Sequence, residues 1–330
     1  MRSRRTITVV GCHAGGEVGN VVVDGVAPPP GATVLEQMQA LRADDSLRRF
    51  LLREPRGSVA THANLIVPSA REDCAFGYII MEPTEYPAMS GSNTICVATV
   101  LLETGRVPMV EPETTLRLEA PAGVVEIRAT CRDGRVASVE LTNVPAFAVH
   151  LDAPLEVEGL GTITVDVAYG GMWYAIADAA ALGFAIEPRA ARALCDVGER
   201  IRLAAKAQLD ERVSIVQIAE PWQGVDRVTK NAVVIAPGRL DRSATGTGLS
   251  ARMAVLHARG LMNVGDAMTH ASAIGSTFEG RIVAETEEGI VPAIRGSAFI
   301  TGITELYVDP DDPFPEGYLL SDTWPGDDVQ

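Results

Sequence analysis

A mixed α/β protein of the α+β kind, built from two similar halves, is what this sequence predicts, and three observations carry the prediction. The chain has 330 residues, too many for one small core when domains typically hold ~100–150 residues. Strand-like and helix-like stretches are mixed without the regular βαβα alternation that builds a doubly wound parallel sheet. A single offset of 155 residues also lays two separate motifs onto two others, the mark of an internal duplication.

The elements follow in order. "TITVVGCHAGGEVGNVVVDGV", from Thr6, reads as strand, Gly-rich turn, strand. After the loop "APPPG", residues 35–52 carry apolar side chains near helical spacing and stop just before Pro55, so one helix is expected there. "ANLIVPS" and "CAFGYIIME" are strand-length apolar runs. "AMSGSNTICVATVLLETG" (88–105) is a helix opened by small polar residues and closed by Gly105. The stretch from Thr114 to Phe147 is a run of short strands with Asp-Gly, Gly and Pro turns, a hairpin-rich pattern. "TITVDVAYGGMWYAIADA" restarts the strand-turn-strand unit, residues 188–210 form a long helix, and "VSIVQIAEP" and "KNAVVIAPG" are strands. "SATGTGLSARMAVLHARG" (243–260) repeats the small-residue helix start, and the tail from Asp309 is acidic, Pro-rich and expected to wrap the surface.

At the 155-residue offset Ser90 meets Thr245, Gly91 meets Gly246, Ser92 meets Thr247, Gly105 meets Gly260, and Gly15-Gly16 meet Gly170-Gly171. The expected domains are therefore 1–155 and 156–304, with a tail, 305–330, that packs back on the first. Each half offers a helix that starts hydroxyl-Gly-hydroxyl and ends at a glycine suited to a left-handed cap. Helix starts carry unpaired N–H groups and partial positive charge, and Gly91 and Gly246 let a ligand approach the backbone. A small carboxylate is the natural ligand, with Ser90 and Thr245 on opposite sides of it. The plainer alternative is that Ser90 and Thr245 are ordinary N-caps.

Composition narrows the field. A net charge of −15 argues against nucleic acid as a partner. No apolar run approaches the ~20 residues of a membrane span, and the basic N-terminus does not read as a signal peptide. The five cysteines (Cys12, Cys74, Cys96, Cys131, Cys195) are odd in number and lack metal-ligand spacing, and the five histidines are scattered. Free thiols in a reducing cytoplasm and no metal site are expected.

With these motifs in place, the chain resembles the proline racemase family over most of its length. Met89-Ser90-Gly91-Ser92-Asn93 stands where the family has Met-Cys-Gly-His-Asn. Asp241-Arg242-Ser243-Ala244-Thr245-Gly246-Thr247-Gly248 stands for Asp-Arg-Ser-Pro-Cys-Gly-Thr-Gly. "CHAGGEVGNVVVDG" and "YGGMWYAIAD" look like the segments that open the family's two halves. The resemblance implies a diaminopimelate-epimerase-like fold: two pseudo-symmetric domains, each a curled sheet around a central helix, with the active site in the cleft. It also implies that no cofactor is needed, and it leaves a homodimer open.

The departures from the family pattern bear on activity. Its racemases and epimerases place two acid/base residues, usually both cysteine, on opposite faces of Cα, where this chain has Ser90 and Thr245. A threonine at the second position marks the trans-3-hydroxy-L-proline dehydratase branch, and the chain is similar to that branch. In trans-3-hydroxyproline the α-hydrogen and the C3 hydroxyl share a ring face, so one residue can take the proton and pass it to the departing hydroxide. The implied roles are Ser90 as proton acceptor, the backbone of Gly91, Ser92, Gly246 and Thr247 as the carboxylate site, Asp241 as partner of the ring ammonium, and Thr245 as a non-basic helix cap at the second position. The alternatives are a 4-hydroxyproline or proline epimerase and an inactive amino-acid-binding homologue. Serine needs activation to act as a base, and His13 and Glu17 are the candidates for that, each with a structural role as the competing reading. Cys96 is expected to face the core.

Overall fold

The computed structural model describes residues 6–307, 309 and 311–325. The basic start of the chain and the last five residues of the acidic tail lie outside the described residues. The elements of the first part are β1 (Thr6–Ala14), β2 (Glu17–Asp24), α1 (Val34–Ala43), α2 (Ser46–Leu52), β3 (Thr61–Val67), β4 (Phe76–Met81), α3 (Gly91–Glu103), β5 (Glu113–Ala120), β6 (Gly123–Arg132) and β7 (Arg135–Thr142). Then follow β8 (Phe147–Val157), β9 (Gly161–Tyr169), β10 (Trp173–Asp178), α4 (Ala191–Gln208), β11 (Ile215–Ala219), β12 (Val228–Ile235) and β13 (Arg239–Leu240). The chain closes with α5 (Gly246–Ala258), β14 (Ala267–Ala271), β15 (Thr277–Thr286), β16 (Gly289–Gly296) and β17 (Ala298–Tyr307).

Two compact units result, one formed by residues 1–141 with 297–330 and the other by 142–296. In the first, the strands run β17, β1, β2, β3, β4, β5, β6, β7, parallel at β2/β3 and β4/β5 and antiparallel elsewhere. In the second they run β8, β9, β10, β11, β12, β14, β15, β16, parallel at β10/β11 and β12/β14. Order and sense are the same in both. The division falls ahead of β8, where the sequence offset placed it at 155/156. The reason is pairing: β8 joins β9, so the second sheet needs it, and the equivalent place beside β1 is filled by β17 from the far end of the chain.

Each unit buries most of one helix. Gly91 to Leu102 of α3 are all buried, as befits a helix that is apolar on every side, and α3 packs on β1, β2, β3 and β17. In the second unit α5 does the same against β8, β9, β10, β15 and β16. Both helices stop at glycines with positive φ, Gly105 at 72° and Gly260 at 71°, the left-handed cap the sequence predicts. The opposite face of each sheet carries amphipathic helices. Val34, Met38, Phe50, Leu51 and Leu52 of α1 and α2 pack on Val9, Val22, Leu65 and Ile79. In the second unit Leu194, Val197 and Ile201 of α4 pack on Val216 and Ile218. The single helix expected over 35–52 is two, because Asp44 and Asp45 interrupt it: Asp44 accepts from the Ser46 N–H, and Asp45 holds Arg48. The helix expected over 188–210 begins as a 3-10 turn at Pro188–Ala190 before α4.

The described tail residues lie on the first unit. Arg56 reaches Asp312 (3.1 Å) and the Phe314 carbonyl (2.8 Å), Arg49 pairs with Glu316 (2.8 Å), and the Tyr318 N–H donates to Glu54 (2.8 Å). The cysteines are free, and Cys195 alone of the five is not buried. No helix of the described residues is long and apolar enough to cross a membrane.

Candidate active site

The two helix starts are built differently. Ser90 occupies the N-cap position of α3 with extended backbone (φ −152°, ψ 122°), but its side chain makes no capping bond. The first intrahelical bond is Thr94 N–H to the Ser90 carbonyl, at 3.0 Å, so the earlier N–H groups, those of Gly91, Ser92 and Asn93, have no carbonyl within the helix to bond. The half-buried Ser90 Oγ instead accepts from Asn93 Nδ2 at 2.9 Å.

Asn93 is fully buried and sits in a polar knot within an otherwise apolar unit. Its Nδ2 also lies 3.1 Å from His62 Nδ1 and 3.5 Å from Glu82 Oε1, while its Oδ1 accepts from Asn64 Nδ2 at 2.8 Å. His62 Nε2 in turn lies 3.3 Å from Glu17 Oε1, with His62 3% and Glu17 1% exposed. The local sequence explains this gathering. His62 and Asn64 are two apart on β3, so both side chains leave the same face of the strand, and that face carries α3. Gly19 on β2, opposite His62 in the parallel register, leaves the room: a Cβ there would lie 2.9 Å from Asn93 Oδ1 and 3.0 Å from Cys96 Sγ.

At the second helix start Thr245 stands at the N-cap of α5 with φ 58° and ψ 106°, again without a side-chain capping bond. A positive φ is costly for a β-branched residue, on the order of 1–3 kcal/mol. The turn before it is held by Asp241, whose Oδ1 accepts from the Ser243 N–H at 2.7 Å and whose Oδ2 accepts from the Thr245 hydroxyl at 2.8 Å. Ser243 Oγ accepts from the Thr245 N–H at 3.1 Å. Asp241 is 8% and Thr245 6% exposed. Behind them Thr247 Oγ1 lies 2.7 Å from the Tyr174 hydroxyl. Deeper still, His270 is fully buried, and burial, followed by the positive charge of Arg252, pushes its pKa down to about 3.

Ser90, Gly91 and Ser92 are thus gathered at one helix start, and Asp241, Thr245, Gly246 and Thr247 at the other. One expectation needs correction. Neither Ser90 nor Thr245 caps its helix through its side chain, because each hydroxyl is engaged elsewhere. His13 has contacts of its own: its Nδ1 accepts from the Gly16 N–H at 3.2 Å and its ring lies against Phe299. Glu17 does join the Ser90 side, through His62. Cys96 is buried beside Gly19, facing the core. The sequence reading missed His62, Asn64 and Glu82 and assigned Asn93 no role. The available signal was "THANLIV", where two polar residues alternate on one face of a strand that is otherwise apolar. Among the described residues no group of three or more His, Cys, Asp or Glu side chains is placed to hold a metal ion.

Comparison with known proteins bears on what such an arrangement serves. A family model described as proline racemase matches residues 9–319. The crystal structure of a probable proline racemase from Agrobacterium radiobacter K84, with bound carbonate, is similar at 40% identity and a TM-score of 0.90, covering 96% of this chain and 98% of that one. A hydroxyproline epimerase from Agrobacterium vitis, crystallised with trans-4-hydroxy-L-proline, is similar at 38% identity and a TM-score of 0.91, over 98% of each chain. A phenazine biosynthesis protein of the PhzF family from Bacillus anthracis shares the fold at 12% identity, with a TM-score of 0.63 over 92% of this chain and 99% of that one.

Proposed function

The chain belongs to the proline racemase family, and we propose that within it the protein is a trans-3-hydroxy-L-proline dehydratase that works with one base. The observation that carries this reading is the inequality of the two helix starts. Ser90 Oγ receives a hydrogen bond from Asn93, an arrangement that favours negative charge on oxygen. Thr245 makes the opposite contact: its O–H donates to the Asp241 carboxylate. Stereoinversion requires a proton donor on the second face of Cα; syn elimination does not.

In the proposed reaction backbone N–H groups at a helix start, those of Gly91 and Ser92 or of Gly246 and Thr247, hold the substrate carboxylate and stabilise the charge that develops as the α-proton leaves. Asp241 pairs with the ring ammonium. Ser90 Oγ takes the α-proton while its own hydroxyl proton passes to the departing hydroxide, which leaves as water, and the C2–C3 double bond forms as the C3–O bond breaks. The enamine then tautomerises to pyrroline-2-carboxylate. Ser90 returns to its starting state, so no co-reactant is consumed.

A second reading, hydroxyproline epimerase, is favoured by the 38% identity to the Agrobacterium vitis enzyme. One experiment separates the two. The protein is incubated in deuterated water with trans-3- and trans-4-hydroxy-L-proline separately and followed by proton NMR. Loss of the 3-hydroxy isomer with growth of pyrroline-2-carboxylate is expected. Inverted, α-deuterated 4-hydroxyproline with an untouched 3-hydroxy isomer would replace the dehydratase reading with the epimerase.

A further inference from the structure

We propose that Asn93 is the positioning residue that readies Ser90 as a base, and that His62 and Glu17 lock Asn93 in the orientation this requires. The proposal rests on the reading of Ser90 as proton acceptor and adds the device that makes a serine serviceable in that role.

The orientation of every group in the chain follows from one backbone carbonyl. Asn64 Nδ2 lies 3.3 Å from the Asn20 carbonyl, which only accepts, so the nitrogen of that amide must face it. The same nitrogen is 2.8 Å from Asn93 Oδ1, which fixes the Asn93 amide with its oxygen towards Asn64. Its nitrogen then points the other way, with two hydrogens for the two nearest acceptors, Ser90 Oγ at 2.9 Å and His62 Nδ1 at 3.1 Å. His62 Nδ1 is therefore an acceptor, the ring proton sits on Nε2, and Nε2 stands 3.3 Å from Glu17 Oε1, close enough for charge to act although that oxygen accepts no hydrogen bond among the described residues. Glu82 Oε1 stands 3.5 Å from both His62 Nδ1 and Asn93 Nδ2, the longest of the contacts around the amide nitrogen.

The consequence falls on Ser90. One lone pair of its oxygen is permanently supplied with an N–H donor whose rotamer and flip are both determined. That donor holds the oxygen in place and stabilises the negative charge that builds on it as its hydroxyl proton moves to the leaving hydroxide. Asn93 does not itself exchange a proton, so the proton balance of the reaction is unchanged.

The second unit shows what the arrangement is for, because it lacks it. At the 155-residue offset Asn93 becomes Gly248, and Gly19 becomes Tyr174. At the same offset His62 becomes Gln217, while the strand partner of Tyr174 is Ile215. There the N-cap hydroxyl, on Thr245, receives no amide donor and gives its proton to Asp241. The second helix also has buried polar groups near its start, with Gln217 3.5 Å from His270 and Asn231 donating to the Ala244 carbonyl, but none of these bonds reaches the N-cap hydroxyl.

The test uses kcat on whichever of trans-3-hydroxy-L-proline, trans-4-hydroxy-L-proline or L-proline the parent turns over, with pyrrole-2-carboxylate binding and thermal stability measured alongside. Asn93→Ala lowers kcat about a hundredfold, the usual cost of one lost oxyanion donor, while pyrrole-2-carboxylate still binds within about threefold because the helix N–H groups remain. Asn93→Asp keeps the acceptor for Asn64 and removes the donor to Ser90, so it serves if the alanine variant does not fold, and it shows the same loss. Glu17→Gln keeps a polar side chain of the same shape against His62 and keeps kcat within about threefold, whereas Glu17→Leu lowers it roughly tenfold to a hundredfold by freeing the ring. A folded Asn93→Ala or Asn93→Asp with parental kcat overturns the proposal, as does a kcat loss matched by equal loss of pyrrole-2-carboxylate binding or an unaffected Glu17→Leu. Ser90→Ala is the control: turnover in that variant sinks Ser90 as the base, whereas a dead Ser90→Ala beside an active Asn93→Ala sinks the positioning role alone.

Discussion

Replacing Gly19 by alanine probes the space that the Ser90 support occupies, without touching any polar group. The backbone at Gly19 does not require glycine, since its φ is not in the left-handed region; only the space does. The new Cβ would lie 2.9 Å from Asn93 Oδ1, 3.0 Å from Cys96 Sγ and 3.3 Å from Cys96 Cβ, against an optimum of about 3.5–4.0 Å for such contacts. Neither neighbour can swing to solvent, because both are fully buried. Asn93 yields only by stretching the 2.8 Å bond from Asn64 and the 2.9 Å bond to Ser90. Overpacking costs typically about 1–3 kcal/mol. The lower backbone entropy of the unfolded alanine chain returns about 0.4–1 kcal/mol, which leaves a net loss of about 1–2 kcal/mol. For a unit of this size that lowers Tm by about 2–4 °C per kcal/mol, and kcat falls about tenfold or more as Ser90 loses its aligned donor. Thermal melts and steady-state turnover measure both. Adding Cys96→Ala opens the sulfur side, so Tm recovers in part while kcat stays low, since Asn93 remains crowded. A Gly19→Ala variant with parental Tm and kcat refutes the packing argument, and full recovery of kcat in the double variant refutes the part played by Asn93.

Three further outcomes are expected. Thr245→Cys places an ionisable thiol at a helix start, where its pKa is lowered; it gains deuterium exchange at Cα of proline or 4-hydroxyproline, which the parent lacks, and no exchange in a variant that binds ligand normally counts against Thr245 facing the substrate. Asp241→Asn retains an acceptor for the Ser243 N–H but loses the charge, so binding of trans-3-hydroxy-L-proline weakens about tenfold or more while the neutral-ring analogue pyrrole-2-carboxylate binds as before; equal loss for both contradicts the ammonium role. Because the His270 pKa is pushed from 6.5 to about 3 in the folded protein, the unfolded chain holds the extra proton between those values. Its contribution to stability is complete at neutral pH and is lost as pH falls through that window, at up to about 1.4 kcal/mol per pH unit; urea midpoints measured from pH 7 to 4 fall less steeply in His270→Gln, and parallel slopes would refute the assignment.

What the sequence determined by itself was local pattern and repetition. Two largely apolar helices with small polar starts and left-handed glycine ends, short strands marked by alternation and turns, and the 155-residue offset are all written in consecutive residues, so Ser90 and Thr245 could be singled out from the chain alone, while Asp241 entered through the family resemblance. Pairing at a distance could not be read that way. Nothing in the run after residue 296 says that β17 lies beside β1 and completes the first sheet; that is decided by which edge remains unpaired once β8 has joined β9. The break between α1 and α2 also escaped, because the side-chain bonds of Asp44 and Asp45 outweighed a continuous apolar period. The surroundings of Ser90 depended still more on tertiary structure. Glu17, His62, Glu82 and Asn93 lie on four separate segments, and each alone is an unremarked polar residue. Only the parallel register that sets Gly19 against His62, with α3 laid across both strands, brings them within hydrogen-bond distance. Hydrogen bonds act over about 3 Å, and a sequence carries no distance between residues that are not neighbours until the sheet has formed.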